Sequence, residues 1–176
     1  TYIRELREKA ALEGKGKLQP SQLEQAVFTD TRQSCLHGQI VDRLVVFLRG
    51  TGCKWIEQTG GCTFCGFWNA TNFGIKIPSQ AYMKQLTSVM NTNHGHIEGF
   101  PIVCLYNDGS MLVEEEISFD VVQDMCRLLS QRDHIQRIVL EAKVIDISEE
   151  KVAKLAEAVA PKEFEIAVGF ESIHEI

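Results

Sequence analysis

The stretch that decides the fold is Leu44-Val45-Val46-Phe47-Leu48, a short apolar run without alternation of polar residues. Such a run is typical of a strand in a parallel sheet, which is buried on both faces. Three further strands are predicted, at residues 102–106, 137–141 and 165–171. The segments between them have apolar residues at helical spacing and begin at Ser79, Ser118 and Ser148. Alternating strands and helices predict an α/β fold with parallel strands and right-handed crossovers.

The residues before the first strand are less regular. A helix is predicted over residues 1–13, and a capping box at Pro20 predicts a second, short one. A polar connection to about Gly38 is expected to follow. We therefore divide the chain into an N-terminal helical extension over residues 1–40 and a βα domain over residues 41–176.

Composition excludes several classes of protein. The chain has 176 residues, 44% hydrophobic and 24% charged, with a net charge of −6. These values fit one folded domain and exclude a disordered chain. No apolar run approaches the roughly 20 residues of a membrane span, and the start has no signal-peptide pattern, so we expect a cytoplasmic protein without membrane contact. The acidic balance provides no general attraction to nucleic acid.

Three of the six cysteines lie together in a glycine-rich loop after the first predicted strand. Cys53, Cys62 and Cys65 fall within residues 49–67, whereas Cys35, Cys104 and Cys126 stand apart. Three thiolates can hold three corners of a cubane iron–sulfur cluster and leave one iron open. The alternative is a zinc site completed by a histidine, namely His37, His94 or His96. We read Cys104 and Cys126 as small core residues.

The loop resembles that of the radical S-adenosylmethionine (SAM) superfamily, which has a Cys-x2-Cys with an aromatic residue before its second cysteine. Eight residues separate the first two cysteines here, where three are usual. That spacing is similar to the elongator-type and archaeosine-synthase branch. The resemblance extends from Val41 to the end of the chain and is carried by Gly52-Cys53-Lys54-Trp55, by residues 60–67, by Gly109-Ser110, by Val139-Leu140-Glu141 and by residues 168–171.

The resemblance implies a fold and a set of site residues. The fold is a partial (βα)n barrel of the TIM type with about four βα units, which a longer chain or a second polypeptide would complete. The metal ligands of a [4Fe-4S] cluster would be Cys53, Cys62 and Cys65. S-adenosylmethionine would be bound by residues of the loop and of three strand ends: Phe64, Gly66, Phe67, Gly109, Ser110, Glu141 and Glu171.

The activity implied is reductive cleavage of S-adenosylmethionine to a 5′-deoxyadenosyl radical, with electrons from a flavodoxin or ferredoxin. The substrate would be a modified tRNA base that undergoes carbon–nitrogen cleavage, beside a partner transferase. Basic residues near the N-terminus, such as Arg4, Arg7 and Lys9, either contact tRNA or form a solvated helix face. Two alternatives remain open: a radical SAM enzyme acting on a small metabolite, and a zinc-stabilised binding module without catalysis. The acidic run Glu114-Glu115-Glu116 is explained by the dipole of the helix that follows it.

Overall fold

The computed structural model describes residues 2–62, 64–91 and 97–169. The strands in these ranges are β1 (Phe28–Leu36), β2 (Gln39–Phe47), β3 (Ile102–Tyr106), β4 (Arg137–Lys143) and β5 (Glu163–Gly169). The α-helices are α1 (Tyr2–Gly14), α2 (Pro20–Leu23), α3 (Lys54–Thr59), α4 (Ser79–Asn91), α5 (Phe119–Ser130) and α6 (Glu149–Val159). Short 3-10 helices cover Phe67–Ala70, Ile97–Gly99 and Val144–Asp146.

The described strands form one sheet in the order β1-β2-β3-β4-β5. Strands β2 to β5 are parallel neighbours, with Leu44 opposite Val103 and Ile138 opposite Phe164. The predicted α/β class with parallel strands is therefore confirmed. The barrel stays a prediction, because neither closure nor an open sheet follows from these strands.

The polar connection predicted before Gly38 is wrong, because β1 lies there. It pairs antiparallel with β2 along its whole length, from Phe28 opposite Phe47 to Leu36 opposite Gln39. His37 and Gly38 connect the two strands with φ of 50° and 81°. Positive φ at both residues suits the tight hairpins that match the twist of strands. Most of β1 is solvent-exposed because it is an edge strand, so its sequence lacks the apolar run used to find the others.

Helices α4, α5 and α6 all contribute to one large core on one face of the sheet. Its strand residues are Leu44, Val46, Val103, Leu105, Ile138 and Leu140. The opposite side chains of the same strands, including Val45, Cys104 and Val139, form a smaller apolar cluster. Cys104 and Cys126 are fully buried, which confirms their interpretation as core residues.

The last described strand, β5, pairs only with β4 among the described residues. Arg137 of β4 fixes this pairing, since its guanidinium lies 2.6 Å from Glu163 and 3.2 Å from Glu165. No helix within the described ranges is long and apolar enough to cross a membrane.

Candidate functional site

A buried carboxylate, Glu116, organises the edge of the sheet where the parallel strands end. It is only 2% exposed. The backbone N–H of Lys54 donates to its Oε1 at 2.7 Å, and that of Ser110 donates to its Oε2 at 2.7 Å. Glu116 thus ties the start of α3, beside the cysteine loop, to the turn after β3.

The turn after β3 is shaped around this carboxylate. A Cβ atom at Gly109 would lie 1.9 Å from Glu116 Oε2, so only glycine leaves room for the side chain. Ser110 is fully buried, and its Oγ accepts the N–H of Leu112 at 3.4 Å. Tyr82 of α4 donates its hydroxyl to the Glu116 carbonyl at 2.9 Å and so holds the same segment from the helix side.

Lys143, at the end of β4, supplies the compensating charge. Its Nζ lies 3.5 Å from Glu116 Oε1 and 3.7 Å from Asp146 Oδ2. Burial lowers the pKa of Lys143, but Glu116 and the other neighbouring groups outweigh it and raise the pKa overall. Burial is the main cause that raises the pKa of Glu116, while the Lys54 N–H and the Lys143 ammonium act in the opposite direction.

Asp108 is a second carboxylate in the same region, and it lacks a cationic partner there. Burial, followed by the charge of Glu116, raises its pKa to about 7. Its Oδ2 is sealed from solvent without a hydrogen-bond partner, and so is Nδ2 of the adjacent Asn107. A Cβ at Gly50 would lie 2.0 Å from Asp108 Oδ1, so the loop after β2 approaches this side chain closely.

Glu141, near the end of β4, is the third carboxylate of this edge. Burial raises its pKa to about 7, while the distant charge of Arg32 lowers it. With Asp146 beside Lys143, four carboxyl groups accompany one lysine and give the edge an acidic character. Such a site can attract a cation or hold a proton near neutral pH.

Cys53 lies on the inner side of the loop, next to this cluster. It precedes α3 and packs with Ile56 and Trp68 in a small apolar cluster that also contacts Ala11 and Phe73. Burial, followed by the charge of Glu116, raises the pKa of the Cys53 thiol to about 11. In the absence of a metal ion the thiol is therefore protonated at neutral pH, and a metal ion that bound there would displace this proton.

Cys62 and Cys65 are half-buried on the outer part of the loop. The Cys65 N–H donates to the Cys62 carbonyl at 3.2 Å, which closes a turn between them. Arg7 of α1 donates to the carbonyls of Gly60, Cys62 and Cys65, the last at 3.1 Å. No local pattern in the sequence indicates this contact, since α1 and the loop are more than fifty residues apart.

The described thiols do not form a metal centre as they are placed. No group of three or more His, Cys, Asp or Glu side chains that could hold a metal ion occurs in the described ranges. His37 lies before β2, whereas Cys53 follows it, so the nine residues of β2, about 30 Å of strand, separate this histidine from the loop. His94 and His96 lie outside the described residues. Whether Cys53, Cys62 and Cys65 ligate a [4Fe-4S] cluster or a zinc ion stays a prediction.

The residues predicted to bind S-adenosylmethionine fall into two groups. Gly109, Ser110 and Glu141 come together at the strand ends. Phe64 and Phe67 are exposed on the outer loop, with Phe67 stacked on Phe47 at 4.7 Å between ring centroids, and Gly66 is exposed beside them. Glu171 lies outside the described residues. Which of these residues bind a cofactor stays a prediction.

Sequence reasoning missed Glu116 because it stands in a run of three glutamates. The helix-terminus explanation holds for Glu114, whose Oε2 accepts the N–H of Phe119 at 2.8 Å at the start of α5. It is wrong for Glu116, which turns inward. Glu116 differs from Glu114 in its sequence neighbour, because Glu116 directly precedes the apolar Ile117, which is also buried.

The chain is similar in sequence to subunits of an enzyme named archaeosine synthase. It is 28% identical over 159 residues to archaeosine synthase subunit beta of Methanosarcina acetivorans, covering 89% of this chain and 44% of that protein. The same subunit of Thermococcus kodakarensis is 25% identical over 145 residues, covering 82% of this chain and 44% of that protein. An uncharacterized protein of Methanocaldococcus jannaschii is 24% identical over 134 residues.

This chain therefore spans less than half the length of the curated relatives it matches. No family model matches it. No solved structure matches it either. The comparisons show a distant relationship to proteins named for an enzyme system, archaeosine synthase.

The expected function, a radical SAM enzyme that cleaves S-adenosylmethionine, is contradicted. The relatives are named as a beta subunit of archaeosine synthase, and that name states no radical SAM activity. The described residues also provide no group of side chains that could hold a metal ion. The resemblance rested on short motifs in the cysteine loop and at the strand ends, and such motifs do not by themselves determine the activity of a chain.

Proposed function

We propose that this chain is a binding module of a tRNA-modifying assembly of the archaeosine synthase type, acting beside a partner subunit. The observation that carries the proposal is the match over 89% of the chain to a subunit of archaeosine synthase. The subunit is part of an enzyme system by name, so the module would serve catalysis without carrying it out.

A partial barrel is the finer fold that we infer for the module. The crossover helices α4, α5 and α6 share one core on one face of the sheet. In an open doubly wound sheet, helices cover both faces, whereas in a barrel they form one outer ring. The smaller apolar cluster around Val45 and Val139 would then face the barrel interior. We also place the module in the cytoplasm, where its six free cysteines would stay reduced.

Among the basic residues near the N-terminus, lysines within α1 and just after it remain available for tRNA. Arg7 is engaged with the cysteine loop, and Arg4 pairs with Glu8 at 3.2 Å. Lys9 and Lys15 are exposed. Lysine contacts with phosphates release counterions, so they make binding depend on salt.

The test is tRNA binding by the purified chain, measured by fluorescence anisotropy with labelled tRNA over a range of salt concentrations. Replacement of Lys9 and Lys15 by Gln is expected to weaken binding and to flatten the salt dependence. Lys154→Gln with Lys162→Gln is the matched control, since it removes two lysines from the region of α6. Equal effects of the two double variants, or no tRNA binding by the parent, would refute the proposed contact.

A further inference from the structure

The guanidinium of Arg7 occupies a site built by the backbone of the cysteine loop. Three carbonyl oxygens, of Gly60, Cys62 and Cys65, accept its N–H groups. Three carbonyls that converge on one cation form charge-assisted hydrogen bonds, which are stronger than those between neutral groups. Arg7 is half-buried, as expected for a side chain that holds other parts of the protein in place. A purely solvated charge would be fully exposed.

Two consecutive glycines allow this approach. Gly60 and Gly61 have φ of 89° and 77°, the left-handed region that other residues rarely adopt. A Cβ at Gly61 would lie 3.0 Å from Arg7 Nη1 and 2.4 Å from Ile56 Cγ1. The loop therefore has both the backbone conformation and the space that the guanidinium requires.

Helix α1 has few other attachments. None of its residues is buried. Its C-terminal end rests on Phe73, against which a Cβ at Gly14 would lie at 2.2 Å, and Ala11 packs on the Cys53 cluster. Arg7 is thus the polar contact that couples the middle of α1 to the loop.

We propose that Arg7 is a positioning residue of the cysteine loop, through which α1 controls access to the thiols of Cys62 and Cys65. While Arg7 holds the carbonyls on either side of the turn, the two thiols keep one placement and soft electrophiles reach them slowly. When Arg7 is released, the loop opens and the thiols become reactive. The proposal is independent of tRNA binding, which concerns other side chains of α1.

The experiment is alkylation by iodoacetamide, with the rate at each cysteine followed by peptide mass spectrometry. Loss of even one hydrogen bond to a charged donor shifts an equilibrium by about tenfold or more. Arg7→Ala should therefore raise the rates at Cys62 and Cys65 by at least about tenfold. Exposed Cys35 should react at an unchanged rate, and buried Cys104 should stay unreactive.

Lys17→Ala is the control, because it removes an exposed cationic side chain just after α1, whereas the Arg4 side chain packs within 4 Å of the position of a Cβ at Gly60 of the loop. It should leave every rate unchanged. Arg7→Lys retains the charge but not the forked donors, so it should give intermediate rates at the loop thiols. If Arg7→Ala also makes buried Cys104 reactive, the variant has unfolded. The rates at Cys62 and Cys65 in Arg7→Lys then test the proposal in its place. Unchanged rates at Cys62 and Cys65 in a folded Arg7 variant, or equal acceleration by Lys17→Ala, would overturn the proposal.

Discussion

Asp108→Asn should stabilise the protein, and only at neutral and alkaline pH. The pKa of Asp108 is raised from 3.8 to about 7, mainly by burial. Between these values the folded state keeps a proton that the unfolded state has lost, so stability falls as pH rises through this window. The penalty is complete above pH 7 and absent below about pH 4.

The magnitude follows from the shift. One pKa unit corresponds to about 1.4 kcal/mol, so a shift of about three units corresponds to about 4 kcal/mol. Part of that shift comes from Glu116 and Glu141, whose own protonation responds to the substitution. We therefore expect a gain of about 2–4 kcal/mol at pH 8 and close to none at pH 4.

Urea unfolding followed by circular dichroism at pH 4, 6 and 8 measures this difference. Asp133→Asn is the control, because Asp133 is exposed. That variant should match the parent at each pH. The reasoning would be refuted if Asp108→Asn were no more stable than the parent at pH 8, or if its gain were the same at pH 4.

Three further outcomes are expected. Glu116→Ala should lower the free energy of unfolding by about 3–5 kcal/mol, because it leaves Lys143 and two buried N–H groups without their acceptor; a loss below about 1 kcal/mol in urea unfolding would contradict this. Gly109→Ala should lower the free energy of unfolding by about 1–3 kcal/mol, because its Cβ would collide with Glu116. Gly99→Ala is the control and should change stability little, because a Cβ there meets nothing within 4 Å. Equal effects of the two variants would show that Gly109 is not crowded. Anaerobic incubation of the chain with S-adenosylmethionine and dithionite should yield no 5′-deoxyadenosine by liquid chromatography, and its formation would reinstate the rejected function.

The sheet could be predicted from the sequence wherever burial leaves a local pattern. Strands β2 to β4 lie between two neighbours and have the apolar residues that such strands bury, and β5 has apolar residues that pack beside β4. Ser148 caps α6 as expected, accepting the Lys151 N–H at 3.3 Å. The edge strand β1 has no such pattern, because it pairs with a strand on one side only and most of its side chains are exposed to solvent. The β1–β2 hairpin is local in sequence, but whether an exposed, polar segment forms a strand depends on its context in the sheet.

The candidate site was only partly predictable for the same reason. The polar residues that end β3 and β4 were identified, since strand ends of a parallel sheet meet at one edge. The roles of Glu116 and Arg7 depend on contacts with residues that are far away in the chain, and their neighbours in sequence suggest a solvated surface instead. The three cysteines are close in sequence, and the described residues contain no group of side chains placed to hold a metal ion, so their role stays a prediction.

The measurement that tests the central claim most directly is the nucleoside content of tRNA after the gene for this protein is deleted in its own organism. Total tRNA is digested and its modified nucleosides are quantified by mass spectrometry, with a strain carrying the restored gene as control. A module of an archaeosine-synthase-type assembly predicts loss of a modified 7-deazaguanine nucleoside, accumulation of its precursor, and recovery on restoration. An unchanged nucleoside profile would contradict the proposed function.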